Sequence, residues 1–138
     1  MLYFDTSALI KLVIAEEGSD VAEELWATSH PAVSSILYYP EGRAALAAAR
    51  RGARLPTASH ARALDEFESL KAELSLIGID AQLAREAGQL AEKLALRGYD
   101  AVHLASALST GEETTLVSWD KDLRRAASES GCAIAPAT

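Results

Sequence analysis

Four carboxylates lie where short apolar segments meet helical patterns, and together they could bind a metal ion. They are Asp5 in "LYFDTSALI", Glu41 in "SSILYYPEGRAAL", Asp100 in "RGYDAVHLASAL" and Asp120 in "TTLVSWDKDL". Each alone has a structural explanation, because acids cap helices and favour their first turns. Carboxylates held close together repel one another and raise one another's pKa unless a cation lies between them. The set therefore indicates a site for a hard divalent cation, Mg²⁺ or Mn²⁺.

Two of these segments contain a second group that bears on the site. Asp122 follows Asp120 by two residues, and one of the two is expected to cap the last helix. His103 follows Asp100 by about one helical turn. We interpret His103 as a hydrogen-bonded core histidine rather than a metal ligand.

The donor types restrict the chemistry of the predicted site. A Mg²⁺ site of carboxylates and water is typical of enzymes that act on phosphate esters. The sequence has no Gly-rich phosphate loop of the Walker type, no evident Ser–His–Asp arrangement, and no Cys/His cluster that would bind zinc. We predict metal-assisted hydrolysis of a phosphodiester, with one ion or two.

The elements that must position these acids alternate between short strand patterns and longer helical ones. The predicted strands are residues 2–4, 32–34, 76–77, 115–118 and 133–135. Between them apolar residues recur at helical spacing, in one case from Ala61 to Leu74. The most regular helical pattern has Asp80 placed to start it and Gly98 to stop it, with Asp100 beginning the next helix.

Strands that alternate with helices predict an α/β fold, in which a parallel sheet is covered on both faces. Right-handed crossovers bring the carboxyl ends of all strands to the same edge. Ligands of such folds bind at that edge, near the point where strand order reverses. The four acids are therefore expected to meet there.

Length and composition favour one compact domain over residues 1–138. No apolar run approaches the roughly 18 residues of a membrane span, and the N-terminus lacks the basic region of a secretory signal. The single cysteine, Cys132, excludes an internal disulfide framework and suits a reducing compartment. We therefore expect a cytoplasmic protein.

The four acidic segments resemble the signature segments of PIN domains, especially those of the VapC-type toxins of bacterial toxin–antitoxin pairs. The resemblance runs from Leu2 to about Ala135 and includes the order and spacing of the acids. It implies a PIN-like three-layer fold, with a central parallel β-sheet flanked by helices, and Mg²⁺- or Mn²⁺-dependent endoribonuclease activity. It also implies a homodimer, or a hetero-oligomer with a cognate antitoxin, as in a type II toxin–antitoxin pair.

Position by position, the resemblance assigns roles to the candidate residues. Asp5 matches the first metal-binding acid, Asp100 the second principal ligand, and Glu41 the acid that completes the first-metal environment. Asp120 matches a fourth, more variable acid, and we expect it rather than Asp122 to face the metal. The polar positions that match supporting residues are Thr6, Ser7 and Ser118.

A basic stretch follows Glu41 and could face the RNA, although the net charge of −7 argues against bulk attraction to nucleic acid. Residues 43–62 contain five arginines and no acid. Arg43, Arg50 and Arg54 would lie along one helix, with Arg50 and Arg54 on a shared face. We predict RNA contacts there. A solvated helix face, or contacts with acidic groups of an antitoxin, is the alternative.

Three other functions remain open from the sequence. A haloacid-dehalogenase-like phosphatase also begins with a strand and an Asp, but it needs a second Asp where this chain has Ser7. A PIN-like RNA-processing nuclease that is not a toxin would use the same four acids. A binding module that has lost catalysis is disfavoured, because such a module has no physical reason to keep the acids clustered.

Overall fold

The structure, a computed structural model, describes residues 1–29 and 31–137. The strands are β1 (Leu2–Phe4), β2 (Ala32–Ser35), β3 (Leu74–Ile77), β4 (Thr115–Val117) and β5 (Ala133–Ala135). The helices are α1 (Thr6–Val13), α2 (Ser19–Thr28), α3 (Tyr38–Arg51), α4 (Thr57–Leu70), α5 (Ala81–Leu94), α6 (Gly98–Leu108) and α7 (Lys121–Glu129). None of these helices is long and apolar enough to cross a membrane.

The five strands form one parallel sheet in the order β3-β2-β1-β4-β5. Helices cover both of its faces, which confirms the predicted three-layer α/β fold. From β1 the chain moves outward through β2 to β3, and then returns to the other side of β1 as β4. Strand order therefore reverses between β1 and β4, which is where parallel α/β sheets form a ligand-binding crevice.

The two central strands supply apolar side chains to both faces of the sheet. Tyr3 packs with residues of α5, α6 and α7, whereas Phe4 packs with residues of α1, α3 and α4. Leu116 and Val117 of β4 divide in the same way. Successive residues of a strand point to opposite faces, so a short run of consecutive apolar residues serves two cores. This double burial holds the carboxyl ends of β1 and β4 in place beside each other.

The helix boundaries predicted at Leu74 and Gly98 are wrong, and three strands differ from their predicted bounds by one or two residues: β2 continues to Ser35, β3 begins at Leu74, and β4 ends at Val117. The helix predicted from Ala61 to Leu74 ends at Leu70, because Leu74 pairs with Ala32 in the sheet instead. Gly98 does not stop α5 but begins α6. Helix α5 ends at Leu94, where Ala95 takes a left-handed conformation with φ of 55° and bonds back to the Ala91 carbonyl.

Two candidate functional residues also lie in a local structure that differs from the prediction. Asp100 does not cap α6. It is the third residue of that helix, which starts after Arg97. Arg54 does not lie on α3, because the helix ends at Arg51 and the next turn includes Ala53 with φ of 59°. The predicted shared helical face of Arg50 and Arg54 is therefore wrong.

Candidate active site

Asp5 lies directly after β1, caps α1, and is held by three neutral donors. Its Oδ1 accepts hydrogen bonds from the Ala8 backbone N–H at 2.9 Å and from the Ser7 hydroxyl at 2.7 Å. Its Oδ2 accepts one from the hydroxyl of Ser118, at the end of β4. Burial raises the pKa of Asp5 above its usual range, although nearby His103 and the three donors lower it in part. The ionised carboxylate would therefore gain from a nearby cation.

The packing of α3 sets the position of Glu41. Pro40 fits in the first turn of this helix because N–H groups there have no partner within the helix. Gly42 faces α4 so closely that a Cβ atom would lie 2.2 Å from the ring of Phe67. The absent side chain lets the two helices approach, and this contact places Glu41 next to the start of α1.

The carboxylate of Glu41 is fixed through one of its oxygens. Oε1 accepts a hydrogen bond from the Thr6 hydroxyl at 2.7 Å and lies 2.7 Å from Nε2 of His103. Burial raises the pKa of Glu41, but the interactions with His103 and Thr6 together outweigh this effect and leave the pKa below its usual range. Glu41 is therefore held as an ionised carboxylate.

Asp100 and Asp120 share a guanidinium group. Nε of Arg97 lies 3.3 Å from Oδ2 of Asp100, and Nη2 of Arg97 lies 3.6 Å from Oδ2 of Asp120. Burial raises the pKa of Asp100, the negative charge of Asp120 raises it further, and Arg97 opposes both effects. The two carboxylates are thus close enough to repel each other, with an exposed arginine as their counter-ion.

Asp120 and Asp122 differ clearly in their surroundings. Oδ1 of Asp120 accepts the backbone N–H of Leu123 at 2.9 Å, so Asp120 caps α7, while its own backbone N–H donates to Ser118 Oγ at 3.1 Å. The side chain of Asp122 is 68% exposed and lies 4.0 Å from Arg125. Of the two acids, Asp120 adjoins the crevice, and its role toward a metal stays a prediction.

The structure therefore brings the four acids to one edge of the sheet, but through intermediaries. Ser118 hydrogen-bonds to both Asp5 and the backbone of Asp120, and Arg97 contacts both Asp120 and Asp100. Thr6, which directly follows Asp5, donates a hydrogen bond to Glu41. Within residues 1–29 and 31–137, no three Asp, Glu, His or Cys side chains are grouped as a ready-made metal site. The donor set is nevertheless one of hard carboxylate and hydroxyl oxygens, which fits Mg²⁺ or Mn²⁺ and not a soft metal.

A cavity of about 460 Å³ opens beside two of the acids, Glu41 and Asp120. Its lining residues are Thr6, Ser7, Ile10, Lys11, Glu16, Glu41, Ala45, Trp119 and Asp120. A larger cavity of about 1120 Å³ lies between α5 and α6 and is lined by none of the four acids. The smaller cavity is the one that adjoins the candidate chemistry.

Three residues of the site were missed or only partly interpreted from the sequence. Arg97 was not identified, although its position three residues before Asp100, at the start of α6, would have suggested an ion pair. His103 is indeed a buried, hydrogen-bonded histidine, but it also contacts Glu41. Tyr3, whose hydroxyl lies 2.8 Å from Nδ1 of His103, has no sequence signal beyond that of a core aromatic residue.

The predicted arginine surface starts beside the site but is partly engaged elsewhere. Arg43 lies 2.9 Å from Glu68 and also donates to the Tyr39 hydroxyl, so it joins α3 to α4. Arg50 and Arg54 are exposed. Their contact with RNA stays a prediction.

Comparison with known proteins identifies the family. The sequence profile described as PIN domain matches residues 2–129 of this chain. The chain belongs to the PIN-domain family. A relative from Mycobacterium tuberculosis (strain CDC 1551 / Oshkosh), Ribonuclease VapC45, is 45% identical over 138 residues, which cover 99% of this chain and 96% of the relative.

Solved structures show the same PIN-domain fold. PAE2754 from Pyrobaculum aerophilum superposes with a TM-score of 0.70 at 22% identity, covering 96% of this chain and 89% of that one. A chain of a toxin–antitoxin complex from Klebsiella pneumoniae gives a TM-score of 0.65 at 21% identity, covering 88% and 89%. At the position where a dehalogenase-like phosphatase would need its second Asp, this PIN domain has Ser7, which donates a hydrogen bond to Asp5.

Proposed function

We propose that this protein is a metal-dependent endoribonuclease that hydrolyses RNA phosphodiester bonds. The observation that carries the proposal is the convergence of four acids at the reversal of strand order. There Asp5 is 4% exposed and forms no ion pair with Lys or Arg among the described residues. The name of the 45% identical mycobacterial ribonuclease supports RNA as the substrate.

Asp5, Glu41, Asp100 and Asp120 would hold the ion, which we propose to be Mg²⁺ or Mn²⁺. When bound, such an ion neutralises phosphoryl oxygens and lowers the pKa of an attacking water. Three hydroxyl side chains orient the carboxylates. Ser7 and Ser118 keep both oxygens of Asp5 in place, and Thr6 does the same for one oxygen of Glu41. Asp5 and Glu41 are thus already oriented before an ion binds.

Cleavage of RNA by the purified protein tests the proposal. Activity should require Mg²⁺ or Mn²⁺, stop with EDTA and return when the ion is added back. The Asp5→Asn variant, purified in the same way, should show none, which excludes a contaminating nuclease. Activity that survives exhaustive EDTA treatment would refute the metal mechanism.

We further propose that the protein acts in the cytoplasm as the toxin of a type II toxin–antitoxin pair. It would form a homodimer or a hetero-oligomer with its antitoxin. Support comes from the name of the 45% identical relative, Ribonuclease VapC45, and from the structural similarity to a chain of a toxin–antitoxin complex. Expression without a partner should stop growth of the host, and Asp5→Asn should restore it. Normal growth with abundant, active enzyme would instead favour an RNA-processing nuclease.

A further inference from the structure

His103 is not one of the proposed metal-binding residues, yet it connects the core of the protein to one of them. Its side chain is buried, with Nε2 2.7 Å from Oε1 of Glu41 and Nδ1 2.8 Å from the hydroxyl of Tyr3. The two rings meet edge to face, with centroids 5.9 Å apart. A row of hydrogen bonds therefore runs from Tyr3 in β1, through His103 in α6, to Glu41 in α3.

The chemistry of Glu41 and Tyr3 sets the direction of these hydrogen bonds. A carboxylate oxygen can only accept, so Nε2 of His103 donates to Oε1 of Glu41. In the neutral imidazole Nδ1 is then an acceptor, and the Tyr3 hydroxyl is its donor. A neutral imidazole whose Nδ1 accepts carries its proton on Nε2. That proton points at Oε1 of Glu41.

Glu41 consequently receives two donors on the same oxygen. The Thr6 hydroxyl and the His103 Nε2–H both bond to Oε1, and neither bonds to Oε2. Two bonds to one oxygen fix the rotation of the carboxylate, which a single bond would leave free. Residues that orient a metal-binding group in this way commonly change metal affinity by about 10–100-fold when they are replaced.

We propose that His103 is a positioning residue, held between Tyr3 and Glu41 in its Nε2–H form. It fixes Oε1 of Glu41 so that Oε2 is presented to the metal. This inference rests on the proposed metal-dependent function. It predicts that changes at Tyr3, which does not touch Glu41, weaken metal binding through His103.

Nitrogen-15 NMR of the histidine side chains tests the first step without any metal. The signals of His103 should show an unprotonated Nδ1 and a protonated Nε2, and they are assigned by their absence in His103→Gln. Tyr3→Phe removes the donor to Nδ1 and should raise the fraction of His103 with a protonated Nδ1. A protonated Nδ1 in the unmodified protein would overturn the proposal.

Binding of Mn²⁺ alone, followed by electron paramagnetic resonance, tests the second step. His103→Leu removes the donor and should weaken Mn²⁺ binding by about tenfold, whereas His103→Gln offers an amide N–H and should restore most of the affinity. Tyr3→Phe should weaken binding about threefold or more. Tyr38→Phe is the matched control, because Tyr38 is equally buried but its hydroxyl has no hydrogen-bond partner among the described residues. This control should bind Mn²⁺ normally.

The outcomes separate this inference from the proposed function. If folded His103→Leu and Tyr3→Phe bind Mn²⁺ normally while Asp5→Asn does not, the metal site stands and the role of His103 is refuted. If Asp5→Asn also binds Mn²⁺ normally, the metal site itself is refuted. Thermal melting of each variant shows whether it is folded, and Tyr3→Phe keeps the test decisive if His103→Leu does not fold.

Discussion

Asp5 and Glu41 are held by neutral donors from the protein core, whereas Asp100 and Asp120 are held by one arginine at the surface. The donors to the first pair are hydroxyls, a backbone N–H and His103, at distances of 2.9 Å or less. The contacts of Arg97 with the second pair are 3.3 and 3.6 Å long, and its side chain is 62% exposed.

The first half of the site, Asp5 and Glu41, and the second half, Asp100 and Asp120, differ in whether their negative charge is balanced by a positive one. Neutral donors fix the orientation of Asp5 and Glu41 without cancelling their charge, so this half is preorganised for a cation. Arg97 supplies a positive charge to Asp100 and Asp120, but an exposed guanidinium can leave at little cost. The second half can therefore exchange one cation for another.

The largest expected effect is the loss of RNA cleavage on removing a charge from either half. Asp5→Asn and Asp100→Asn keep the side-chain shape but remove a ligand charge, and each should lower the cleavage rate by roughly two orders of magnitude or more. Glu41→Gln should be similarly severe. Asp80→Asn is the matched control, because Asp80 caps α5 in the same manner but is exposed and distant in sequence from the four acids. Wild-type rates for both Asp5→Asn and Asp100→Asn would show that the site is wrong.

A smaller loss is expected at the exposed end of the second half. Asp120→Asn should lower the cleavage rate by about tenfold, because Asp120 still caps α7 as Asn and matches the most variable acid. Asp122→Asn should have almost no effect, since its side chain is 68% exposed. Rates measured for the two variants in parallel decide between them. A greater loss with Asp122→Asn would reverse our assignment.

Without metal, the difference in melting temperature between Asp5→Asn and the wild type should depend on pH. The pKa of Asp5 is raised in the folded protein, so its ionisation costs stability that is present at low pH and lost as the pH rises through that pKa. Asp5→Asn cannot ionise and should melt about 2–5 °C above the wild type at pH 8 in EDTA. The gap should close as the pH falls toward 4.

Asp80→Asn provides the comparison for this measurement, because it makes the same change at an exposed helix cap. It should show no gain that grows with pH. A constant gap between Asp5→Asn and the wild type from pH 4 to 8 would contradict the assigned cause, since ionisation of Asp5 could not then explain it.

Replacing Arg97 tests whether the second half of the site exchanges its arginine for a metal ion. Arg97→Ala removes the cation that competes for Asp100 and Asp120, and it should tighten Mn²⁺ binding by about two- to fivefold. Arg125→Ala is the control, because Arg125 is also a partly exposed arginine but pairs with Asp122 and Glu129. Weaker Mn²⁺ binding by Arg97→Ala would mean that Arg97 holds the carboxylates together rather than competing for them.

The smallest effect concerns the surface that continues α3 beyond Glu41. If Arg50 and Arg54 contact phosphates, each should contribute about 0.7 to the salt slope of single-stranded RNA binding. The double alanine variant is compared with Arg85→Ala, an exposed arginine on α5, in an Asp5→Asn background that binds RNA without cleaving it. An unchanged salt slope would assign Arg50 and Arg54 to partner binding or solubility.

Local pattern in the sequence determined the architecture and the candidate acids. Short apolar runs such as residues 2–4 can bury both faces only inside a covered sheet, so they predict parallel strands between layers of helices. Parallel strands bring their carboxyl ends together, and this fact alone groups Asp5 with Ser118 and Asp120. Glu41 and Asp100 were candidates because each lies at the start of a predicted helix, and the family resemblance then assigned their roles.

Some ends of helices and strands could not be predicted from local sequence pattern. Leu74 continues a helical spacing, but its backbone pairs with β2, and only the assembled sheet offers that partner. Ala95 ends α5 where a glycine three residues later looked better suited. At Leu74 the local helical preference is weak, and pairing with β2 outweighs it.

Only the tertiary structure decided how each acid is held. Tyr3, Glu41 and His103 are separated by up to 100 residues, and no spacing in the sequence connects them. Arg97 became a counter-ion for Asp120 because α6 and the end of β4 meet at one edge of the sheet. Side-chain chemistry therefore determined which groups could bind a cation. Packing decided which of them are fixed by neutral donors and which are balanced by a removable charge, since hydrogen bonds and ion pairs depend on distances that exist only in the folded chain.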